Sequence, residues 1–252
     1  MACLAIGMAL SVAGFRSALA AAAEFEVYTD EIEQAGGFDL ELLSSMALSG
    51  TRGGAVEDEG PEAHTLQLAP ELEYGLGAGL EADFYALLSR APSGWSGNGA
   101  ELQLRYVHQP RRPTTWFWGV VGEVARLSEG ISGRRTVLEV RPVAGWRSGR
   151  WLIALNPAFE ITLAGGDPRA VEAEAAAKLS WAITANVRVG LEHFARLGVV
   201  GDTEPRREQS HLLFGVVDAQ VGGVGVNVGV GRGLTNASPA WVAKAILRLD
   251  LD

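Results

Sequence analysis

The feature that most constrains the fold is an alternation of polar and apolar side chains with a period of two residues. In residues 66–88, LQLAPELEYGLGAGLEADFYALL, acidic side chains at Glu71, Glu73, Glu81 and Asp83 alternate with apolar ones about a glycine-rich turn. Successive side chains of a β-strand point to opposite faces, so the pattern predicts strands with one charged and one apolar face. Such strands suit a half-buried sheet in water or a barrel wall in lipid.

Strand length favours the barrel. Strands of soluble proteins most often have about 5–6 residues, whereas a tilted membrane strand needs about 9–11. Most of the alternating segments of this chain reach or exceed the membrane length. The candidate strands are Phe25–Asp30, Phe38–Leu48, Thr65–Leu76, Leu80–Leu88, Glu101–His108, Trp116–Leu127, Thr136–Trp146, Trp151–Leu163, Val171–Ile183, Val187–Leu197, His211–Val221, Val224–Gly233 and Trp241–Asp252.

The connections between these segments alternate between short and long. Outer-membrane barrels show the same alternation, with short periplasmic turns and longer outer loops. Counted from Phe38–Leu48, the strands number about twelve. The sequence therefore predicts an all-β fold, an antiparallel up-and-down transmembrane β-barrel of about twelve strands over residues 38–252. Residues 23–37 are predicted to form a periplasmic-side N-terminal segment or a short extra strand.

Residues 1–22 are predicted to be a signal peptide, because an apolar run is followed by small residues at Ala18 and Ala20. The run lacks a preceding Lys or Arg, and a buried N-terminal helix is the alternative. About fourteen apolar residues are too few for a membrane-spanning helix. Export through this peptide predicts a cell outer membrane location. The single cysteine, Cys3, lies within it, which leaves no disulfide or cysteine ligand in the mature chain.

The alternation assigns a face to each polar side chain. Acidic residues outnumber basic ones about two to one on the charged face, which is predicted to line the lumen. The candidate lumen-facing residues are Glu71, Glu73, Glu81, Asp83, Glu101, Arg105, Glu123, Glu139, Arg141, Glu160, Glu172, Glu174, Lys178, Arg188, Glu192, Asp218, Lys244 and Arg248.

Tryptophans lie near predicted strand ends, where aromatic girdles of membrane barrels meet the lipid headgroups. A soluble core more often has Trp at mid-strand. The predicted membrane-interface aromatics are Trp116, Trp118, Trp146, Trp151, Trp181 and Trp241.

Three prolines, Pro70, Pro142 and Pro157, lie well inside predicted strands. Proline removes a ladder hydrogen-bond donor and is usually confined to edges and bulges. A closed barrel has no edge, so bulges or kinks are predicted at these positions.

The sequence contains no recognisable catalytic or metal-binding motif. His64, His108, His193 and His211 are scattered singly, without metal-ligand spacing, so no metal site is predicted. Adjacent Ser210 and His211 would point to opposite faces of a strand, which prevents them from acting as nucleophile and base. The sequence predicts no cofactor, no catalytic residue and no enzymatic activity.

The formal net charge of -9 and the pI near 5.0 argue against nucleic acid as a partner, because phosphate binding needs a basic face. The predicted partners are outer-membrane lipid and lipopolysaccharide, with small solutes as candidate cargo. Arg206 and Arg207 lie in a charged outer loop, where solvation and lipopolysaccharide contact are the two interpretations.

Several stretches resemble a group of uncharacterised proteobacterial outer-membrane barrel proteins. They are EFEVYTDEIEQAGGFDLEL, LAPELEYGLGAGLEADFYA, GRWLIALNPAFEI and VGVGRGLTNASPAWVAKAIL. These proteins are similar to the channel-like proteins annotated with the meta-pathway of phenol degradation. The resemblance covers nearly the whole mature chain and implies a barrel of about twelve strands, with passage of small solutes as an expectation. It assigns no chemical role to particular residues.

Four functions remain open at the level of sequence. The leading one is a passive outer-membrane channel for small solutes with an acidic lumen. The first interpretation of its charge is a solvated face with cross-strand ion pairs, and the second is a cation-favouring pore, since carboxylate rings select cations. The alternatives are a non-conducting structural or sensing barrel with a charge-filled lumen, an outer-membrane lipid or ester hydrolase, and a soluble secreted β-protein.

Overall fold

The computed structural model describes residues 25–51, 64–92, 94–108, 115–128, 135–166 and 168–251. The predicted signal peptide, residues 1–22, lies outside them, as do Arg111, Arg112 and Arg134. Within the described ranges, no helix is long and apolar enough to cross a bilayer.

The described chain forms a closed antiparallel barrel of twelve long strands, which confirms the predicted fold class. Each strand pairs with its neighbours along the chain, and β1 pairs with β13 to close the wall. The short strand β10 pairs only with the end of β9. The strands are β1 Phe38–Thr51, β2 Leu66–Gly77, β3 Leu80–Ala91, β4 Gly94–Val107, β5 Trp116–Leu127, β6 Thr136–Ser148, β7 Trp151–Ala164, β8 Val171–Ala182, β9 Val187–Val199, β10 Asp202–Thr203, β11 Ser210–Val221, β12 Val224–Gly233 and β13 Pro239–Asp250.

Burial follows the alternation that predicted the strands. In β5, Phe117, Val121 and Leu127 are buried, whereas Trp116 and Trp118 on the other face are 71% and 53% exposed. Exposed leucines and valines continue around the outside, a surface that suits lipid acyl chains. Closure leaves the long strands without an unpaired edge.

One connection implied by the candidate strands is wrong. Ending one strand at Leu88 and beginning the next at Glu101 makes the Gly-, Ser- and Pro-rich stretch between them a long loop. Instead β3 continues to Ala91 and β4 begins at Gly94, with a register shift near Leu87 and Leu88. Ladder pairing overrides the weak strand propensity of this composition.

None of the three prolines shifts the register, so the predicted bulges are absent. Pro70, Pro142 and Pro157 pair on one side with Leu42, Val120 and Ala175 respectively. On the other side a ladder is interrupted, because β2–β3 pairing lapses at Ala69 and Pro70 and β6–β7 pairing lapses between Val140 and Ala144. The register on either side of the β6–β7 gap places Pro142 opposite Pro157. The two prolines therefore share one interruption of the ladder instead of causing two.

Residues 25–37 form neither a wall strand nor a segment outside the barrel. Tyr28 contacts side chains on β3, β4 and β7, which lie in different parts of the wall. Such contacts are available only from inside the closed barrel. We call residues 25–37 the inner segment. It joins β1 at Phe38, near the hydrogen bond that Gly36 N–H donates to Gly75 O at 2.7 Å.

Candidate channel interior

The structure places all eighteen candidate lumen residues on the buried side of the wall, and none of them is classed as exposed. Their contacts cross the barrel between strands that are not paired. Lys178 on β8 lies 2.7 Å from an Asp218 carboxylate oxygen on β11. Lys244 on β13 forms an ion pair with Glu192 on β9. These contacts identify the face as the inside of the barrel.

One part of the interior has balanced charge. Lys178 and Lys244 contact Glu192 and Asp218, with Lys178 Nζ 3.0 Å from Glu192 Oε1. Asn227 Nδ2 donates a hydrogen bond to Asp218 at 2.6 Å. Two cations and two anions neutralise each other here, as buried charges require.

The inner faces of β1, β2, β3 and β4 are much more acidic. Arg248 contacts three carboxylates, those of Asp39, Glu41 and Glu73. A second cation, Arg105, lies 3.1 Å from Glu81.

Two other carboxylates of this acidic region accept hydrogen bonds from uncharged side chains. Gln103 Nε2 donates a hydrogen bond to Asp83 at 2.6 Å. Glu71 is 2% exposed and accepts a hydrogen bond from the Tyr85 hydroxyl. Carboxylates therefore outnumber cations along this part of the wall.

Local ion pairs occupy the inner faces of β6, β8 and β9. Arg141 lies 2.8 Å from Glu139, and Arg196 lies 2.8 Å from Glu174. Arg196 was not among the sequence candidates, although its even-numbered position on β9 follows the same phase as Arg188 and Glu192. Strand phase alone could have identified it.

The inner segment is held by the barrel interior. Asn156 is completely buried and donates from Nδ2 to Tyr28 O at 3.1 Å, while its Oδ1 accepts from Tyr28 N–H at 2.7 Å. This side chain thus satisfies both backbone groups of Tyr28, as a neighbouring strand would. The guanidinium carbons of Arg105 and Arg141 lie over the Tyr28 ring, 5.3 and 5.7 Å from its centroid.

Phe25 and Asp30 also tie the inner segment to the wall. Arg147 Nη2 lies 2.5 Å from the Asp30 carboxylate. Lys244 Nζ donates to Phe25 O at 2.5 Å. The Phe25 ring packs against Phe194 and Phe214, with centroid separations of 5.2 and 5.1 Å.

Apolar side chains fill further parts of the interior. Val27 and Tyr28 pack against Phe117, Val121 and Val143 on the inner faces of β5 and β6. Another buried group contains Leu43, Tyr85, Leu87, Ala125, Leu127, Val137 and Ile246. The interior is therefore packed at these places, and the inner segment supplies part of the packing.

The six predicted interface tryptophans all lie at strand ends on the outer surface. Trp116 pairs in register with Trp146, and Trp151 packs edge-to-face on Trp181 at 4.5 Å. We call the end of the barrel that has the turns after Gly77, Ser148 and Val221 the short-turn end. Five of the six tryptophans lie there. Trp241 lies at the opposite, long-loop end.

Two of the histidines are not isolated, contrary to the sequence interpretation. His211 Nδ1 lies 3.2 Å from His193 Nε2, and the rings stack with centroids 5.3 Å apart. Both point to the outside of the wall. Ser210 instead meets Ser238, with their hydroxyl oxygens 3.3 Å apart, so Ser210 and His211 form no nucleophile–base pair.

Comparison with known proteins rests on structure alone, because no family model and no curated protein matches the sequence. The COG4313 outer-membrane channel from Pseudomonas putida F1 superposes with a TM-score of 0.63 at 11% identity. The superposition covers 90% of this chain and 100% of that one. This chain and that channel therefore share a fold.

Two porins share the fold. The KdgM porin matches with a TM-score of 0.58 and 8% identity over 85% of this chain and 99% of its own. The NanC porin matches with a TM-score of 0.54 and 9% identity over 84% and 98%. At these identities the likeness concerns the fold, and the suggested relation to phenol degradation stays a prediction.

Proposed function

We propose that this protein is an outer-membrane channel for small solutes, with a cation-favouring interior that the inner segment narrows. The observation that carries the proposal is the closed twelve-strand wall with an apolar outside and a charged inside. The structural neighbours named as a channel and porins support the same use of the fold. The signal peptide, outer-membrane location and lipopolysaccharide contact belong to this proposal.

The preference for cations follows from the charge of the interior. Twelve acidic and six basic residues are present among the eighteen inward-facing candidates. An excess of fixed carboxylates raises the local concentration of cations and repels anions. We infer no catalytic role, and the named neighbours are not enzymes.

Planar-bilayer conductance tests the channel. The mature chain is expected to give small stepwise currents, and a variant lacking Phe25–Glu33 should conduct several-fold more because the packed inner segment is gone. In a KCl gradient the reversal potential should report cation preference. Glu73→Gln should reduce that preference, whereas Glu208→Gln in the exposed outer loop should leave it unchanged.

A non-conducting barrel is the second candidate, favoured by the deep burial of the interior side chains. Glu41, Glu71 and Glu81 are only 1–2% exposed. Absence of current from both the mature chain and the deletion variant, with a folded barrel in each, would establish this alternative.

A further inference from the structure

Three carboxylates from separate parts of the chain converge inside the barrel. Glu26 belongs to the inner segment, Glu41 to β1 and Glu71 to β2, where Glu41 and Glu71 are register partners. One oxygen from each of the three lies within 4.8 Å of the other two. Like charges at this separation repel strongly in a water-poor interior.

The charge around this group is not compensated. Arg248 contacts Glu41 and is shared with Asp39 and Glu73. The second nearby cation, Arg105, is paired with Glu81. Six carboxylates, those of Glu26, Asp39, Glu41, Glu71, Glu73 and Glu81, thus face two guanidiniums, a formal charge of -4 when all are ionised. The Lys178–Lys244 group elsewhere in the interior has no such excess.

A second observation points to a missing ligand. Glu41 and Glu71 are each 2% exposed, and the Oε2 atom of each is buried without a hydrogen-bond partner among the described residues. Buried polar atoms are nearly always satisfied by a partner. The two oxygens of a carboxylate share one carbon, so each partnerless atom is either the converging oxygen itself or the oxygen bonded to the same carbon.

We propose that Glu26, Glu41 and Glu71 bind one divalent cation, with Ca²⁺ preferred over Mg²⁺. Ca²⁺ takes about 6–8 oxygen ligands, carboxylates among them, in a flexible geometry. Mg²⁺ usually keeps several waters and is held by only one or two carboxylates. Three converging carboxylates in a buried place therefore favour Ca²⁺, which would join the inner segment to the wall.

Calorimetric titration of the folded, EDTA-treated mature chain with CaCl2 and MgCl2 tests the site. One Ca²⁺ per barrel is expected, with binding at least 10-fold tighter than that of Mg²⁺. Ca²⁺ should also raise the thermal unfolding midpoint, because it binds the folded state. Glu71→Gln should weaken Ca²⁺ binding at least 10-fold, and Glu160→Gln, another inward carboxylate, should leave it unchanged.

Glu26→Gln repeats the test without altering the barrel wall, so a Glu71 variant that fails to fold leaves the test intact. The proposal is overturned if the mature chain shows no Ca²⁺ binding, with the carboxylates held neutral by protons instead. It is also overturned if Glu26→Gln binds Ca²⁺ as tightly as the unmodified chain. Neither readout depends on ion conduction, so the site and the channel function can fail separately.

Discussion

At the scale of single residues, Asn156 shows how the wall holds a segment that is not a strand. Its amide group supplies one donor and one acceptor to the backbone of Tyr28. Apolar or charged side chains cannot offer both a donor and an acceptor to the backbone of one residue. Asn156 lies among the inward-facing Leu152, Ala154 and Ala158. Its polar side chain is therefore explained by its hydrogen bonds to the inner segment.

Asn156→Leu should release the inner segment from the wall. The change leaves Tyr28 N–H and C=O buried without partners, at about 1–3 kcal/mol for each group. In a Val27→Cys background, a water-soluble maleimide should label the Asn156→Leu variant about tenfold faster. Asn227→Leu is the matched control, since Asn227 bonds to Asp218 and Glu192 on the wall. Equal labelling of all three proteins would refute the role of Asn156.

At the scale of elements, alternation predicted most of the wall. The bounds of β5 and β12 were predicted without error, and most other strands differ by one to three residues at an end. Alternation identifies these strands because one face of each is apolar and exposed and the other lines the interior, so each strand records both surroundings. It failed at β3–β4, where glycine and serine carry no such record.

The inner segment could not be located from sequence. Its partners, Asn156 and Arg147, are more than 100 positions away along the chain. Its alternation of Phe25, Val27 and acidic residues is also that of a strand. Likewise, the convergence of Glu26 on Glu41 and Glu71 depends on that location. The spacing of histidines in the sequence contains no information about this carboxylate cluster.

The inner face of β12 illustrates a packing constraint on a whole strand. Glycine or asparagine occupies its inward positions, and an added Cβ at Gly231 would lie 2.7 Å from atoms of the Phe214 ring. The space that small residues leave is thus filled by Phe214, which in turn contacts Phe25.

Gly231→Ala should destabilise the barrel by about 1–3 kcal/mol, the usual cost of overpacking a core. Urea unfolding in lipid vesicles, followed by tryptophan fluorescence, measures the change. Gly215→Ala is the control, because an added Cβ there meets no atom within 4 Å. Adding Phe214→Leu should recover part of the loss, and an unchanged loss in that double variant would contradict this explanation.

At the scale of the whole molecule, the interior has two electrostatic regions, and the inner segment contacts both. Lys178 and Lys244 neutralise Glu192 and Asp218 beside Phe25, whereas the β1–β4 side keeps an excess of carboxylates. A closed barrel creates this separation because strands distant in sequence face each other across it. The inner segment contributes Glu26 to the acidic side and its Phe25 carbonyl to the balanced one.

The orientation of the barrel in the membrane can be tested with one pair of variants. Arg207 is exposed in the long connection between β10 and β11, and Arg150 is exposed in the short turn between β6 and β7. If short turns face the periplasm, a maleimide on a polymer too large for porins should label Arg207→Cys on intact cells. Arg150→Cys should react only after the outer membrane is permeabilised.

Cys3, the native cysteine, lies in the predicted signal peptide and adds no background once that peptide is removed. The reverse pattern would mean an inverted barrel, and labelling of neither variant on intact cells would remove the support for an outer-membrane location.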